Sequence, residues 1–148
     1  MEPQVTRPCC TTIQGHEGGV LAVDLVVVGL GYVGLPLAQA ASSAGLAVRG
    51  LDLNTDIVDG LNAGKSHVDD LSDTDIAAML GQGFRATTDA AVLGEADTIV
   101  ICVPTPLSDE GGPDLGAVLS ATRAIANTLH SMIASRLAQS RAALPVPP

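Results

Sequence analysis

The chain has 148 residues, 47% of them apolar, a formal charge of −9, and Tyr32 and Phe84 as its only aromatics. That is the size of one domain with a core of its own, and the core must be aliphatic. An acidic protein is repelled by nucleic acid and by anionic membrane surfaces, so the partners to expect are small molecules or protein, with no nucleic acid and no membrane.

Residues 1–22 mix Pro, Gly, Thr and Gln without a period of 2 or 3.6, which predicts a disordered leader outside the fold. Cys9, Cys10 and Cys102 make neither a zinc spacing nor a disulfide framework, and this pattern fits a reducing cytoplasm. No basic segment precedes the first apolar stretch. Asp24, the glycines and Pro36 interrupt that stretch well short of the ~20 apolar residues a membrane span needs.

From Asp24 the pattern becomes regular. "DLVVV" is a β-branched strand, and "YVGLPLAQAASSAG" carries Val33, Leu37, Ala41 and Ala44 on one helical stripe. Pro36 suits the first turn of a helix, where its missing N–H breaks no bond, and places the helix start just after Gly31. "LAVRGLD" returns to strand. A polar helix over Thr55 to Asn62 ends at "NAGK", and a short one over Asp73 to Leu80 ends at "GQG". "FRATT" at 84–88 is the third strand and "DTIVICV" at 97–103 the fourth. Strands alternating with helices predict a parallel sheet covered on both faces.

Gly29, Gly31 and Gly34 stand as G-x-G-x-x-G between the first strand and the first helix. In that context the first glycine permits a tight turn, the second lets backbone approach a pyrophosphate, and the third lets helix and strand pack closely. The helix N-terminus then holds the anion. The same letters fit a bare tight turn, and on this fingerprint FAD as well as NAD. Asp52, at the end of the second strand about 20 residues on, can accept hydrogen bonds from an adenosine ribose and would repel a 2′-phosphate. This favours NAD over NADP, with Arg49 nearby as the opposing feature; an Asp there also fits a helix cap.

"ICVPTPLSDEGGPDL", 101–115, runs off the carboxyl end of the fourth strand, the edge where open parallel sheets bind ligands. Thr105 offers a hydroxyl, Pro104 and Pro106 stiffen the backbone, and Asp114 is placed to cap the next helix. Thr105, Thr87 and Thr88 read equally well as ordinary loop hydroxyls. Cys102 sits in an apolar strand with no His or Lys placed to activate it, and reads as a small buried hydrophobe. His67 is expected in a loop, and His16 and His130 near the ends. No triad, acid-base pair or metal spacing is present, so the catalytic set is empty and no metal is expected.

The blocks "VVGLGYVGLPLA", "GLDLN", "LNAGKSHVDDLSD", "FRATTD" and "ADTIVICVPTPLSDEGGPDL" resemble, in this order, the N-terminal NAD-binding domain of the UDP-glucose/GDP-mannose dehydrogenase family over about 24–127. "GLGYVGLPLA", "SHV" and "VPTPL" are more similar to its UDP-N-acetylhexosamine branch. The resemblance implies a Rossmann-like α/β fold, a doubly wound parallel sheet. It implies NAD as cofactor, and an oxidoreductase that takes the C6 alcohol of a nucleotide sugar to a carboxylate through a thioester on a catalytic Cys, in polysaccharide biosynthesis and as a homo-oligomer.

By position it implies Gly29, Leu30, Gly31, Tyr32, Val33 and Gly34 at the pyrophosphate, and Asp52 at the ribose. Thr87, Val103, Pro104 and Thr105 would complete the cofactor site, with Val103 and Thr105 on the nicotinamide side. One departure is Ile57, where members often carry a Lys. A larger one follows "AIANTL", where the family continues with a further strand, an E-S-T loop and a catalytic domain. Here the tail, 131–148, resembles none of this and is expected to be irregular. The expected organisation is therefore a leader over 1–22, an incomplete dinucleotide domain over 23–130, truncated after about four strands, and the tail. A UDP-sugar partner is expected only if the missing domain is supplied, and the alternatives are a non-enzymatic NAD- or partner-binding module and a nonfunctional remnant.

Overall fold

The computed structural model describes residues 23–108 and 111–142, with side chains as far as Ser135. The expected leader, with Cys9, Cys10 and His16, lies outside the described residues, as do the last six residues of the tail. The elements in order are β1 (Val23–Val28), α1 (Gly34–Ser43), β2 (Val48–Leu51), α2 (Thr55–Asn62), α3 (Asp73–Gly81) and β3 (Arg85–Thr87). A 3-10 turn (Ala90–Glu95), β4 (Ala96–Ile101) and α4 (Gly116–Ala142) complete them.

All pairings are parallel and the sheet order is β3-β2-β1-β4. Strand β1 is central, with Val27 beside both Gly50 and Val100. Its period-2 alternation sends Leu25 and Val27 to one face and Val26 and Val28 to the other. On the first face they meet Leu35 and Ala38 of α1, Leu61 of α2 and Ile76 and Met79 of α3. On the second they meet Val92, Leu93 and Ala121. Two covered faces and this strand order make the expected doubly wound α/β fold.

The helix boundaries have local causes. Helix α2 opens at Asn54, whose side chain accepts the Asp56 N–H, and α3 opens with a reciprocal capping box between Ser72 and Asp75. Asp114 caps α4, accepting the Gly116 N–H at 2.8 Å. Phe84 is buried in the aliphatic core while Tyr32 is 63% exposed. Among the described residues no helix is long and apolar enough to cross a membrane, and no group of three or more His, Cys, Asp or Glu side chains could hold a metal ion.

Three expectations are corrected. The buried stripe of α1 is Gly34, Leu35, Ala38 and Ser42, while Val33 is 70% and Leu37 37% exposed. Gly34 packs under the β1–α1 turn, and that contact fixes the rotation of the whole helix. The helix opens at Gly34, although the Leu35 N–H already reaches the Gly31 carbonyl at 3.0 Å. Finally, the tail is helical to Ala142 as a continuation of α4, because no Gly or Pro interrupts the sequence between Gly116 and Pro145. Strand β4, the fourth, is an edge strand among the described residues and is correspondingly half-exposed.

Candidate functional site

The carboxyl ends of β1, β2, β3 and β4 gather the predicted residues. At the end of β1 the chain turns at Gly29, whose φ of +92° favours glycine. A Cβ there would also lie 2.6 Å from the Cys102 carbonyl oxygen. At Gly34 a Cβ would lie 1.8 Å from the Gly29 carbonyl oxygen and 3.2 Å from Cys102 Cβ. Both glycines are thus demanded by the fold, which stacks β4, the turn and α1 within backbone contact.

Gly31 differs. A Cβ on it would meet nothing within 4 Å, and its φ is not positive. No side chain caps α1, and among the described residues no partner takes the N–H groups of Gly31, Tyr32 or Val33. The turn therefore presents open space, free donors and the positive end of a helix dipole, the arrangement that receives a phosphate.

Leu30 turns inward. Its side chain is fully buried against Gly50 in β2, where a Cβ would lie 2.7 Å from both Leu30 methyl carbons. Gly50 weakens a strand in order to seat that side chain. The Leu30 N–H donates to Asp52 Oδ2 at 2.8 Å, and the Asn54 N–H to Asp52 Oδ1 at 2.9 Å. Each carboxylate oxygen keeps a lone pair for a further donor. Asp52 is thus a fixed, half-buried acceptor beside the glycine turn, and the side chain that caps α2 is that of Asn54 rather than Asp52.

Arg49, the opposing cation, donates to the Gly83 carbonyl at 2.7 Å, ahead of β3 and at the other end of the sheet from Asp52. Ile57, in the place of the family Lys, packs half-buried against the core. The Thr87 carbonyl accepts the Asp52 N–H at 3.1 Å, and its hydroxyl accepts the Asp89 N–H at 3.0 Å. Thr88 is exposed.

Past β4, the Val103 nitrogen lies 3.3 Å from the Cβ position built on Gly29, which joins this loop to the turn. Val103 packs half-buried against the second core cluster, and Pro104 and Thr105 are exposed. The loop closes through the Leu107–Pro113 bridge and the Asp114 N–H on the Pro106 carbonyl at 2.7 Å. Burial pushes the Cys102 thiol up, away from the reactive thiolate. His67 is exposed in a loop, and His130 is exposed on α4. The cleft between the 3-10 turn and α4, lined by Gly94, Asn127, Thr128, Ser131 and Met132 among others, brings no titratable groups together.

Two residues of this architecture escape a reading from sequence alone. Gly50 carries a weak signal, an isolated glycine inside a strand. Asn62 carries none; its side chain grips β3 from the end of α2.

A parallel sheet of this order with an open glycine turn and a fixed acid after the next strand, whose neighbouring Arg49 is engaged elsewhere, is a dinucleotide-binding domain of the NAD type. The model of the UDP-glucose/GDP-mannose dehydrogenase family, NAD binding domain, matches residues 23–136, and the chain belongs to that family. It is 44% identical over 106 residues to an NDP-N-acetyl-D-galactosaminuronic acid dehydrogenase of Ralstonia nicotianae, covering 70% of this chain and 24% of the relative. It is 42% identical over 105 residues to the UDP-N-acetyl-D-mannosamine dehydrogenase of Escherichia coli K12, with the same coverage. Among solved structures, a UDP-glucose dehydrogenase from Pyrobaculum islandicum superposes with a TM-score of 0.69 at 32% identity, over 74% of this chain and 26% of that one. A GDP-mannose dehydrogenase from Pseudomonas aeruginosa gives 0.68 at 31%, over 71% and 25%. The chain spans about a quarter of the length of these curated relatives.

Proposed function

We propose that the turn from Gly29 to Gly34 binds the pyrophosphate of NAD through the free N–H groups of Gly31, Tyr32 and Val33, with Leu30 as its buried anchor. Asp52 accepts the adenosine ribose hydroxyls, Thr87 borders the adenosine end, and Val103, Pro104 and Thr105 border the nicotinamide side. The observation that carries this reading is the contrast among the three glycines: Gly29 and Gly34 are required by protein contacts, whereas among the described residues nothing fills the space a Cβ on Gly31 would enter. Titrating the purified chain with NAD and with NADP tests it. Saturable binding of NAD and much weaker binding of NADP are expected, and equal binding of both would refute the role of Asp52.

When bound, NAD supplies a hydride acceptor at its nicotinamide ring. The residues here hold and orient the other end of the molecule, and Asp52 discriminates against a 2′-phosphate by charge. As part of a complete enzyme, the domain serves oxidation of a nucleotide-sugar alcohol to a carboxylate, with a UDP-N-acetylhexosamine as substrate. The names of the two curated relatives support that substrate class. The setting is a cytoplasmic homo-oligomer that provides precursors for polysaccharide.

A second reading is an NAD-binding module without catalysis of its own. It is favoured by one observation: Cys102, the cysteine within the described residues, has its thiol pushed up by burial and no His or Lys hydrogen-bonded to it. Turnover restored when a relative's catalytic part is supplied alongside the chain favours the first reading, and no turnover under that condition favours the second.

A further inference from the structure

Strand β3 is three residues long and stands at the edge of the sheet. In a parallel ladder the N–H and C=O of one residue point to the same side, so successive residues serve opposite neighbours. Thr87 serves β2, its carbonyl taking the Asp52 N–H at 3.1 Å. Ala86, 6% exposed, points its backbone groups the other way, where among the described residues no strand stands.

Asn62, the last residue of α2, takes both. Its Nδ2 donates to the Ala86 carbonyl at 2.9 Å, and its Oδ1 accepts the Ala86 N–H at 3.0 Å. One side-chain amide thereby stands in for the missing strand. The other end of α2 is tied to the site as well, since the N–H of its cap residue Asn54 donates to Asp52 Oδ1. A closed ring results: from Asp52 through Asn54 and α2 to Asn62, across to Ala86, one residue on to Thr87, and back to the Asp52 N–H. Asn62 supplies its one side-chain-to-strand link.

We propose that Asn62 is a positioning residue for the adenosine end of the NAD site, acting through β3 and α2 to hold the Asp52 carboxylate beside the glycine turn. The proposal rests on the reading of Asp52 as the ribose acceptor. Without the amide, β3 is free to shift along or away from β2, and the two groups that aim Asp52, its own N–H bond and the start of α2, shift with it.

The test is a double-mutant cycle on the whole 148-residue chain, combining Asn62→Ala with Asp52→Ala and reading NAD affinity by titration. Asn62→Ala alone should weaken NAD roughly tenfold, about 1.4 kcal/mol, and should do nothing further once Asp52 is Ala. Equal weakening in both backgrounds, or none in either, overturns the proposal. The isosteric Asn62→Asp, which keeps the acceptor and loses the donor, carries the same cycle if the Ala variant does not fold.

An NMR comparison without cofactor keeps this separate from the cofactor reading itself. Asn62→Ala should move the amide resonances of Leu30 and Asn54, the two donors to Asp52. Unmoved resonances overturn the proposal even if NAD binds, and wild type that fails to bind NAD overturns the cofactor reading while the amide shifts still decide the ring.

Discussion

Alanine placed at each of the three glycines in turn separates what the fold requires from what the ligand requires. At Gly34 the new Cβ would sit 1.8 Å from the Gly29 carbonyl oxygen, which is backbone and cannot turn aside. Helix α1 would have to move off β1, and overpacking of that kind costs about 1–3 kcal/mol or more. At Gly29 a 2.6 Å approach to the Cys102 carbonyl combines with a φ of +92°, so loss of stability is expected there too.

At Gly31 an added Cβ would meet nothing within 4 Å among the described residues beyond its chain neighbours and φ is not positive, so Ala should leave stability unchanged or raise it by about 0.4–1 kcal/mol through the unfolded chain. Cofactor binding should behave in the opposite way. A Cβ in front of the free N–H groups holds the pyrophosphate off, and losing one hydrogen bond to a charged group, about 1.5–3 kcal/mol, weakens NAD roughly 10- to 150-fold. Gly31→Val should abolish binding with the fold intact. Urea melts and NAD titrations of all four variants provide the assay. A Gly31→Ala protein that melts with the Gly34→Ala protein, or that binds NAD like wild type, refutes the reasoning.

Asp52→Ala should weaken NAD by a similar 10- to 150-fold, since a charged acceptor is lost; unchanged affinity in calorimetry would move the ribose contact elsewhere. Asp75 is held below the usual carboxylate range by the Ser72 hydroxyl and then the Ser72 backbone N–H. Its folded pKa being depressed, the capping box contributes fully above the unfolded value and is lost as pH falls through the folded one. In an NMR titration the Asp75 carboxyl should therefore protonate below the ordinary ~3.9, with loosening of the start of α3; protonation at the ordinary value would contradict the cap. The chain alone should form no NADH with UDP-N-acetylglucosamine, UDP-N-acetylmannosamine or UDP-glucose. Turnover that vanishes in Cys102→Ser would make Cys102 catalytic despite its raised pKa.

What could be read in advance follows from how locally each feature is determined. The places of the glycine turn and Asp52 are legible because they depend on backbone at fixed spacing: the turn joins β1 to α1 and Asp52 follows the end of β2. The rotation of α1 is not, because "GLPLAQAASS" is apolar on several sides and two stripes compete. The winner is set by Gly34 against Gly29, a contact across the turn. The helical tail stands against the expectation of an irregular one, since Ala, Leu, Met, Gln and Arg without a breaker favour helix on propensity alone. Asn62 is illegible for a different reason. Its partner Ala86 is 24 residues away, and only the edge position of β3 gives that amide a task.

The central claim, that NAD binds at the carboxyl ends of β1 and β2, is tested most directly by titrating isotope-labelled chain with NAD and following every backbone amide. Saturable shifts are predicted at Gly31, Tyr32, Val33 and around Asp52, with none at Ser42 to Ala47 at the opposite end of the sheet. Shifts that fail to saturate, or that centre away from the glycine turn, would contradict it.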